Sequence, residues 1–225
     1  MLLSIAYFPP ISWFKALLCG NAVIEQHENY VKQTIRNRCQ IATANGVQRL
    51  SVPVITALPD AQAALSSIPC DSVAGTPDAS STLSPKPKTT DILIAPHNNW
   101  QQKQWNAIAT AYGESAFFDY YADDLHAFFN VEKDEKASTK NLFKHNVSII
   151  RMLLQLLDVE HELRFTDSFV GEDYTQTIVK NKNTADSIPP YYQVFRQKTG
   201  FLPDLSILDL LFNLGPEATC YLLKR

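Results

Sequence analysis

The opening of this chain constrains its fold most, because it packs an apolar run, a helix start and a second apolar run into its first 25 residues. Leu2 to Phe8 reads as a short buried strand. Pro10 suits the first turn of a helix, which runs from Ile11 to about Cys19 and stops at Gly20. Asn21 to Glu25, with Ala22-Val23-Ile24 at its centre, supplies a second strand. Strand–helix–strand of this kind is the first unit of a parallel α/β sheet.

The pattern beyond it predicts an α/β or α+β chain, with a mixed sheet in the N-terminal half and mostly helices in the C-terminal half. A Rossmann-like arrangement is one form this could take. Cys39–Thr43 and Val47–Val54 flank Asn45-Gly46, which predicts a β-hairpin with a type I′ turn. Pro53 places the end of that second strand at a sheet edge. Residues 56–90 are rich in Ala, Ser, Thr, Pro and Asp and nearly devoid of aromatics, which predicts a flexible insertion within a single domain spanning 1–225. Asp91–Ala95 reads as a returning strand. Trp100 to Tyr112 reads as a helix with Trp105, Ile108, Ala109 and Tyr112 on its apolar face, and Asp123–Asn130 as a short helix. Ser138 or Thr139 is placed to cap a helix whose stripe is Phe143, Val147, Ile150, Leu153, Leu154 and Leu157. His161–Thr166 reads as a strand. Ser206 starts a helix that Gly215 ends, and Pro216 starts the last one.

At 225 residues the chain is long enough to bury roughly 70% of its unfolded surface, so neither metal nor disulfide is needed to hold it together. A net charge of −3 and a pI near 5.9 argue against a nucleic-acid partner or a polybasic membrane surface. No run approaches the ~18 apolar residues of a membrane span. The apolar start lacks a basic flank and is cut by Pro9-Pro10, unlike a signal peptide. The four cysteines, Cys19, Cys39, Cys70 and Cys220, are scattered, as expected of mostly buried, reduced thiols in the cytoplasm.

Familiar chemical motifs are missing. The five histidines show no metal-ligand spacing, so no metal is predicted, and neither dinucleotide nor P-loop glycine pattern occurs. No cofactor is predicted. A nucleotide or acyl-CoA co-substrate remains compatible, since a helix N-terminus alone binds phosphate, and the turn Phe8-Pro9-Pro10 is where that would happen. The segment His27–Arg38 concentrates polar groups. Lys32, Arg36 and Arg38 suit a phosphate or carboxylate, and Asn29, Tyr30, Gln33 and Asn37 add neutral donors and acceptors. The bland reading of the same residues is a solvated helix face with a Glu28–Lys32 surface pair. Trp100 and Lys103 are candidates for a pocket, with Trp105 in the core. Tyr191 and Gln193 lie on an aromatic loop opened by Pro189-Pro190. Ser206 and Asp209 read as a capping box, with Asp209 functional if that helix end faces a cleft. Asp209 and His27 are the catalytic candidates, and Asn213 would orient a polar group.

Four segments in order carry a family resemblance: His27–Cys39, Leu50–Val54, Trp100–Trp105 followed by Phe117–Tyr121, and Leu202–Gly215. Together they resemble the WbqC-like protein family over most of the chain except residues 56–90, and the last motif is the most specific. The resemblance implies a link to bacterial surface-polysaccharide (O-antigen type) gene clusters and to building or decorating sugars by acyl or aminoacyl transfer. Two departures stand out. Many members carry His-Gln-Pro after the first strand, where this chain has Ala6-Tyr7-Phe8-Pro9-Pro10. Many also carry His in the tryptophan motif, where this chain has Gln104. A first strand, Pro-containing loop and helix with a late Ser at a helix N-terminus is also similar in fold to adenylyl-transferring nucleotidyltransferases. The reading is therefore a transferase acting on a sugar or nucleotide-sugar. A non-catalytic binding or assembly protein of a glycan pathway is the alternative.

Overall fold

The computed structural model describes residues 1–56, 86–96, 98–129, 141–170 and 188–224. Within them lie three two-stranded sheets, β1 (Leu2–Ser4) with β2 (Val23–Glu25), β3 (Arg38–Thr43) with β4 (Gly46–Ser51), and β5 (Val54–Thr56) with β6 (Ile92–Ile94). The first pair is parallel and the other two antiparallel. The expected mixture of strand directions is present, but as short separate ladders in the N-terminal half. Helix α1 (Ile11–Leu18) joins β1 to β2. Helices α2 (Trp100–Tyr112), α3 (Phe118–His126), α4 (Leu142–Leu156), α5 (Arg196–Thr199), α6 (Ile207–Leu214) and α7 (Glu217–Leu223) follow. On the far side of β2, Ile24 bridges in parallel to Phe165, so the expected strand at 161–166 is reduced to one pairing.

The connection from β1 to α1 is the centre of the molecule. Ile5, Ala6, Tyr7 and Phe8 are at most 1% exposed. A buried connection must have its backbone polar groups met from elsewhere. Tyr7 N donates to the Ile35 carbonyl (2.8 Å), the Ser206 hydroxyl donates to the Phe8 carbonyl (2.9 Å), and Ile207 N donates to the Pro9 carbonyl (2.9 Å). Phe8 adopts φ +37°, a conformation that is costly for a bulky side chain. Helix α1 starts without a capping side chain of its own. Instead Asp204 accepts from both Ser12 N and the Ser12 hydroxyl (2.8 Å each), and Ile11 N donates to the Leu205 carbonyl (3.1 Å).

Several elements differ from the sequence reading for identifiable reasons. The hairpin pairs Thr43 with Gly46, so Ala44 and Asn45 are the loop residues, and of the Asn45-Gly46 pair only Gly46 takes positive φ (+102°). A glycine following the turn gives the strands their twist without the type I′ geometry. The aromatic run before Asp123 is itself helical, because Phe118, Tyr121 and Leu125 repeat at helical spacing and are buried together. Helix α2 buries Trp100, Gln104, Ile108, Ala111 and Tyr112, a stripe rotated from the expected one, and leaves Trp105 half-buried. Residues 26–37 form turns and bends rather than a helix, so Glu28 does not pair with Lys32. Asn141 caps α4 by accepting from Lys144 N (3.0 Å), while Ser138 and Thr139 lie outside the described residues. The α4 stripe from Phe143 to Leu157 is buried as read. Cys19 and Cys220 are exposed and Cys39 is buried, so the thiols are less sheltered than expected, and Cys70 lies outside the described residues. The insertion read over 56–90 falls largely on 57–85, outside the described residues. Its two ends belong to the fold: Thr56 closes β5, Tyr30 N donates to the Pro87 carbonyl (2.8 Å), and Thr89 is fully buried.

A buried ion pair pins the turns before β3. Arg36, 2% exposed, forks Glu28 with Nε on Oε1 (2.8 Å) and Nη2 on Oε2, and Nη2 also donates to the Ser4 hydroxyl (2.7 Å). Removing one member of such a pair strands a charge away from water. Glu28→Gln is expected to cost about 3 kcal/mol or more in urea unfolding. The helix α6 end gives a second test. Gly215 has φ +55°, and a Cβ there would stand 2.5 Å from the Phe117 ring. Gly215→Ala is expected to lose about 1–3 kcal/mol in the same assay.

Candidate functional site

A closed circuit of contacts surrounds the buried β1–α1 connection. The Tyr7 hydroxyl donates to Gln104 Oε1 (2.7 Å), and Gln104 Nε2 donates to the Ser51 carbonyl (2.8 Å). The next residue, Val52, exchanges bonds with Asn37: Val52 N donates to the Asn37 carbonyl (2.8 Å), and Asn37 Nδ2 donates to the Val52 carbonyl (3.2 Å). The carbonyl before it, Arg36, accepts from Asn146 Nδ2 (2.7 Å). His145, beside Asn146, closes the circuit by stacking on Tyr7 with ring centroids 6.2 Å apart, and Trp100 meets His145 edge-on at 6.4 Å. Burial pushes the Tyr7 phenol well above its ordinary value, with a contribution from Cys39, so Tyr7 stays a neutral hydroxyl. Asn37 Oδ1, Asn146 Oδ1 and Trp100 Nε1 are buried and have no hydrogen-bond partner among the described residues.

An open cleft of about 490 Å³ runs beside this circuit, lined by Asp124 and Phe128 on one side and by Ser148, Arg151, Met152 and Gln155 of α4 on the other. That volume is in the range of small-molecule sites. None of the circuit residues lines this cleft, and the nearest link between the two is Phe128 and the α4 face that carries His145. The Phe128 ring lies 6.5 Å from it, and Ser148 and Met152 continue its face of α4 at helical spacing.

The second polar cluster is internal. Asp209 Oδ2 accepts from the Tyr191 hydroxyl and from Gln193 Nε2 (2.8 Å), and Gln193 also clasps Leu202 by both backbone groups (2.9 Å each). Three residues named from the sequence, Tyr191, Gln193 and Asp209, thus meet around one carboxyl. Burial raises the Asp209 carboxyl above its ordinary value, against the hydrogen bonds of Tyr191, Gln193 and Tyr112 that favour the charged form. Burial and the Asp209 charge together push Tyr191 and Tyr112 up. Ser206 caps α6, accepting from Leu208 N (3.4 Å), but Asp209 does not complete the capping box because its carboxyl faces Tyr191. Asn213 Nδ2 donates to the Asp209 carbonyl (2.7 Å).

The remaining candidates are dispersed. Lys32, Gln33 and Asn29 are exposed, Arg38 is half-buried with Nε unpartnered among the described residues, and the Arg36 edge is occupied by Glu28. Tyr30 is buried and pushed up to about 12 by burial, against the charges of Arg36 and Arg38. Lys103 is exposed. His27 is half-buried and its backbone N–H donates to Glu25 Oε1 (2.8 Å). Burial acts to raise Glu25, but N–H groups of Val170 and His27 and the Thr166 hydroxyl bring it below its ordinary value. The backbone donors at the start of α1, where a phosphate was expected to fit, are taken by Asp204 and Leu205. Tyr7, His145 and Asn146 were not singled out as site residues, and Gln104 was noticed only as a departure. A signal existed for two of them. Asn146 is a polar residue within the Phe143–Val147–Ile150 stripe, and Gln104 lies four residues from both Trp100 and Ile108.

The Asp209 shift has a definite sign. A carboxyl whose folded value lies above the unfolded ~3.9 contributes fully below that pH and loses its contribution as pH rises through the folded value. Asp209→Asn is expected to gain stability relative to the parent chain between pH 4 and pH 7.5 in paired urea unfolding curves. A difference independent of pH contradicts the raised value.

Among the described residues no helix is long and apolar enough to cross a membrane. Searches of curated proteins and of solved structures each returned no match. The model of the WbqC-like protein family matches residues 6–72 and 80–187. The match takes in much of the 56–90 segment that the resemblance was read to skip, and it stops before Leu202–Gly215, the motif read as most specific. It does contain Tyr7, Asn37, Trp100, Gln104, His145 and Asn146, the residues of the circuit, and with most of its length matched this chain belongs to the WbqC-like protein family.

Proposed function

We propose that the chain is a transferase that modifies or hands on sugars in bacterial surface-polysaccharide assembly, using the cleft along the α4 face that also carries His145. The observation that carries this reading is the circuit itself. Buried amides and rings gather where β1 leaves its sheet, and His145 of that circuit shares an α4 face with Ser148 and Met152 of the cleft. Ligands of α/β proteins commonly bind beyond the carboxyl ends of parallel strands. Phe8 adds support, since strained backbone held by its surroundings gathers at functional sites. In this reading Trp100 and Phe128 wall the substrate, Asn37 and Asn146 orient it, and His145 moves the proton. A transferase of this kind works by positioning reactants, so no side-chain nucleophile is required. The donor is an acyl-CoA, an aminoacyl donor or a nucleotide-sugar.

A second reading, a glycan-pathway binding protein without turnover, has its own support. Where many relatives are expected to carry histidines, this chain has none in Ala6–Pro10 and has Gln104 in the tryptophan motif, and Tyr7 of the first segment bonds Gln104. Neither shuttles a proton near neutral pH.

Thermal shift against nucleotides, nucleotide-sugars, acyl-CoAs and amino sugars, followed by mass analysis of donor–acceptor mixtures, separates the two. A ligand at ~100 times its dissociation constant stabilises by about 2.7 kcal/mol. The transferase reading expects a product that disappears in His145→Asn while the thermal shift persists. Binding with no product from any pair favours the second reading, and no shift across the panel removes both.

A further inference from the structure

The Asp209 cluster holds two acceptors that face no donor. Asp209 Oδ2 accepts from the Tyr191 hydroxyl and from Gln193 Nε2, whereas Oδ1 has no hydrogen-bond partner among the described residues. Asn213 donates Nδ2 to the Asp209 carbonyl (2.7 Å). A carbonyl only accepts, so that amide does not turn over, and its own Oδ1 is left as a second unpartnered acceptor. Asp209 and Asn213 stand one turn apart on the same face of α6, and both are buried. Two orphaned oxygens on neighbouring side chains lack one thing, a proton between them. A neutral carboxyl supplies it. With Oδ2 accepting two bonds, Oδ1 is the hydroxyl oxygen and Asn213 Oδ1 its acceptor.

The groups that act on this carboxyl are phenols and amides: Tyr191 and Gln193 from their loop, Tyr112 from α2, and Asn213 from α6. Behind Tyr191 stands Tyr221 of α7, which feels the Asp204 carboxylate and has Lys15 of α1 over its ring at 5.3 Å. The start of α6 favours a negative charge, but an ionised oxygen sealed from water without a donor costs more. Burial raises the carboxyl in the same direction. The carboxyl also anchors a longer strap. Gln193, held on Oδ2, clasps Leu202 by both backbone groups (2.9 Å each), and Asp204 and Leu205 then bind the start of α1.

We propose that Asp209 and Asn213 form a proton-operated latch on the 188–205 strap: a proton held between their Oδ1 atoms keeps it closed, and loss of that proton loosens the grip of Gln193 on Leu202. The latch works whatever the cleft binds. When the strap lifts, the carboxyl meets water, ionises as an ordinary aspartate at ~3.9 and gives its proton to solvent. Lifting therefore becomes easier as pH rises, by up to about tenfold per pH unit, until the closed carboxyl ionises as well.

NMR on the full chain from about pH 4 to pH 7.5 tests this. Leu202 N–H is bonded to Gln193 Oε1 alone, so its protection, corrected for the intrinsic exchange rate, reports the grip. Its protection is expected to fall with rising pH and to level off at the pH where the Asp209 carboxyl carbon shows ionisation, above the ordinary carboxylate range. The Asn213 amide carbon is expected to move with the same midpoint. Asp209→Asn is expected to reduce the Leu202 slope by up to tenfold per pH unit; what remains belongs to Asp204, which burial also raises. If that variant does not fold, the carbon titrations of the parent chain decide alone. An Asp209 that ionises in the ordinary range, or an Asn213 carbon that ignores its step, overturns the latch. So does a Leu202 slope unchanged in Asp209→Asn.

Discussion

The structure depends on one constraint, a connection between the first strand and first helix that never reaches solvent. Ile5 to Phe8 are buried without belonging to a sheet or helix, so their polar backbone groups need partners from distant parts of the chain. Ile35 meets Tyr7 N, Ser206 meets the Phe8 carbonyl, and Ile207 meets the carbonyl of the next residue, Pro9. That requirement draws the turns before β3 to one side of the connection and the start of α6 to the other. Arg36 and Glu28 then lock the turns, and the Asn146 amide holds α4 against the Arg36 carbonyl. The candidate site is therefore a by-product of satisfying a buried backbone. Its side chains are those that meet the same peptide groups.

The two polar clusters do different work. The circuit around Tyr7 contains no carboxylate, and its unpartnered atoms are two buried amide oxygens and the Trp100 indole N–H. The Asp209 cluster is enclosed by α6 and the loop carrying Tyr191 and Gln193, which both donate to Oδ2, while Oδ1 has no hydrogen-bond partner among the described residues. It ties the C-terminal segment to the core, since Gln193 holds Leu202 by both of its backbone groups just before the segment that caps α1.

Much of the architecture was legible from periodicity. The α2 span, the α4 stripe and the Ser206–Gly215 helix follow from apolar spacing and caps, which are local properties. What escaped was long-range. Arg36 reads as an anion ligand because nothing local reveals that Glu28 will face it across a turn instead of sitting on a helix. Trp100 is the more buried of the two tryptophans, the reverse of the expectation, and Trp105 is half-buried and stacks on His126 at 4.5 Å, a contact between helices. The segment Ala6–Pro10 and Gln104 were noticed separately as departures from a family pattern, and only the fold shows that Tyr7 of that segment meets Gln104, 97 residues away.

The cap on α1 carries a consequence for how the chain is made. Ser12 and Asp204 are 192 residues apart, so the helix receives its terminal partner from a segment made much later. An eight-residue helix is marginal by itself in water. Closure of so long a loop precedes the contacts that reward it, which slows folding. Until that loop closes, Trp13, Phe14 and Leu17 lack the neighbours that bury them, and apolar surface of this kind exposed in a partly folded chain favours aggregation.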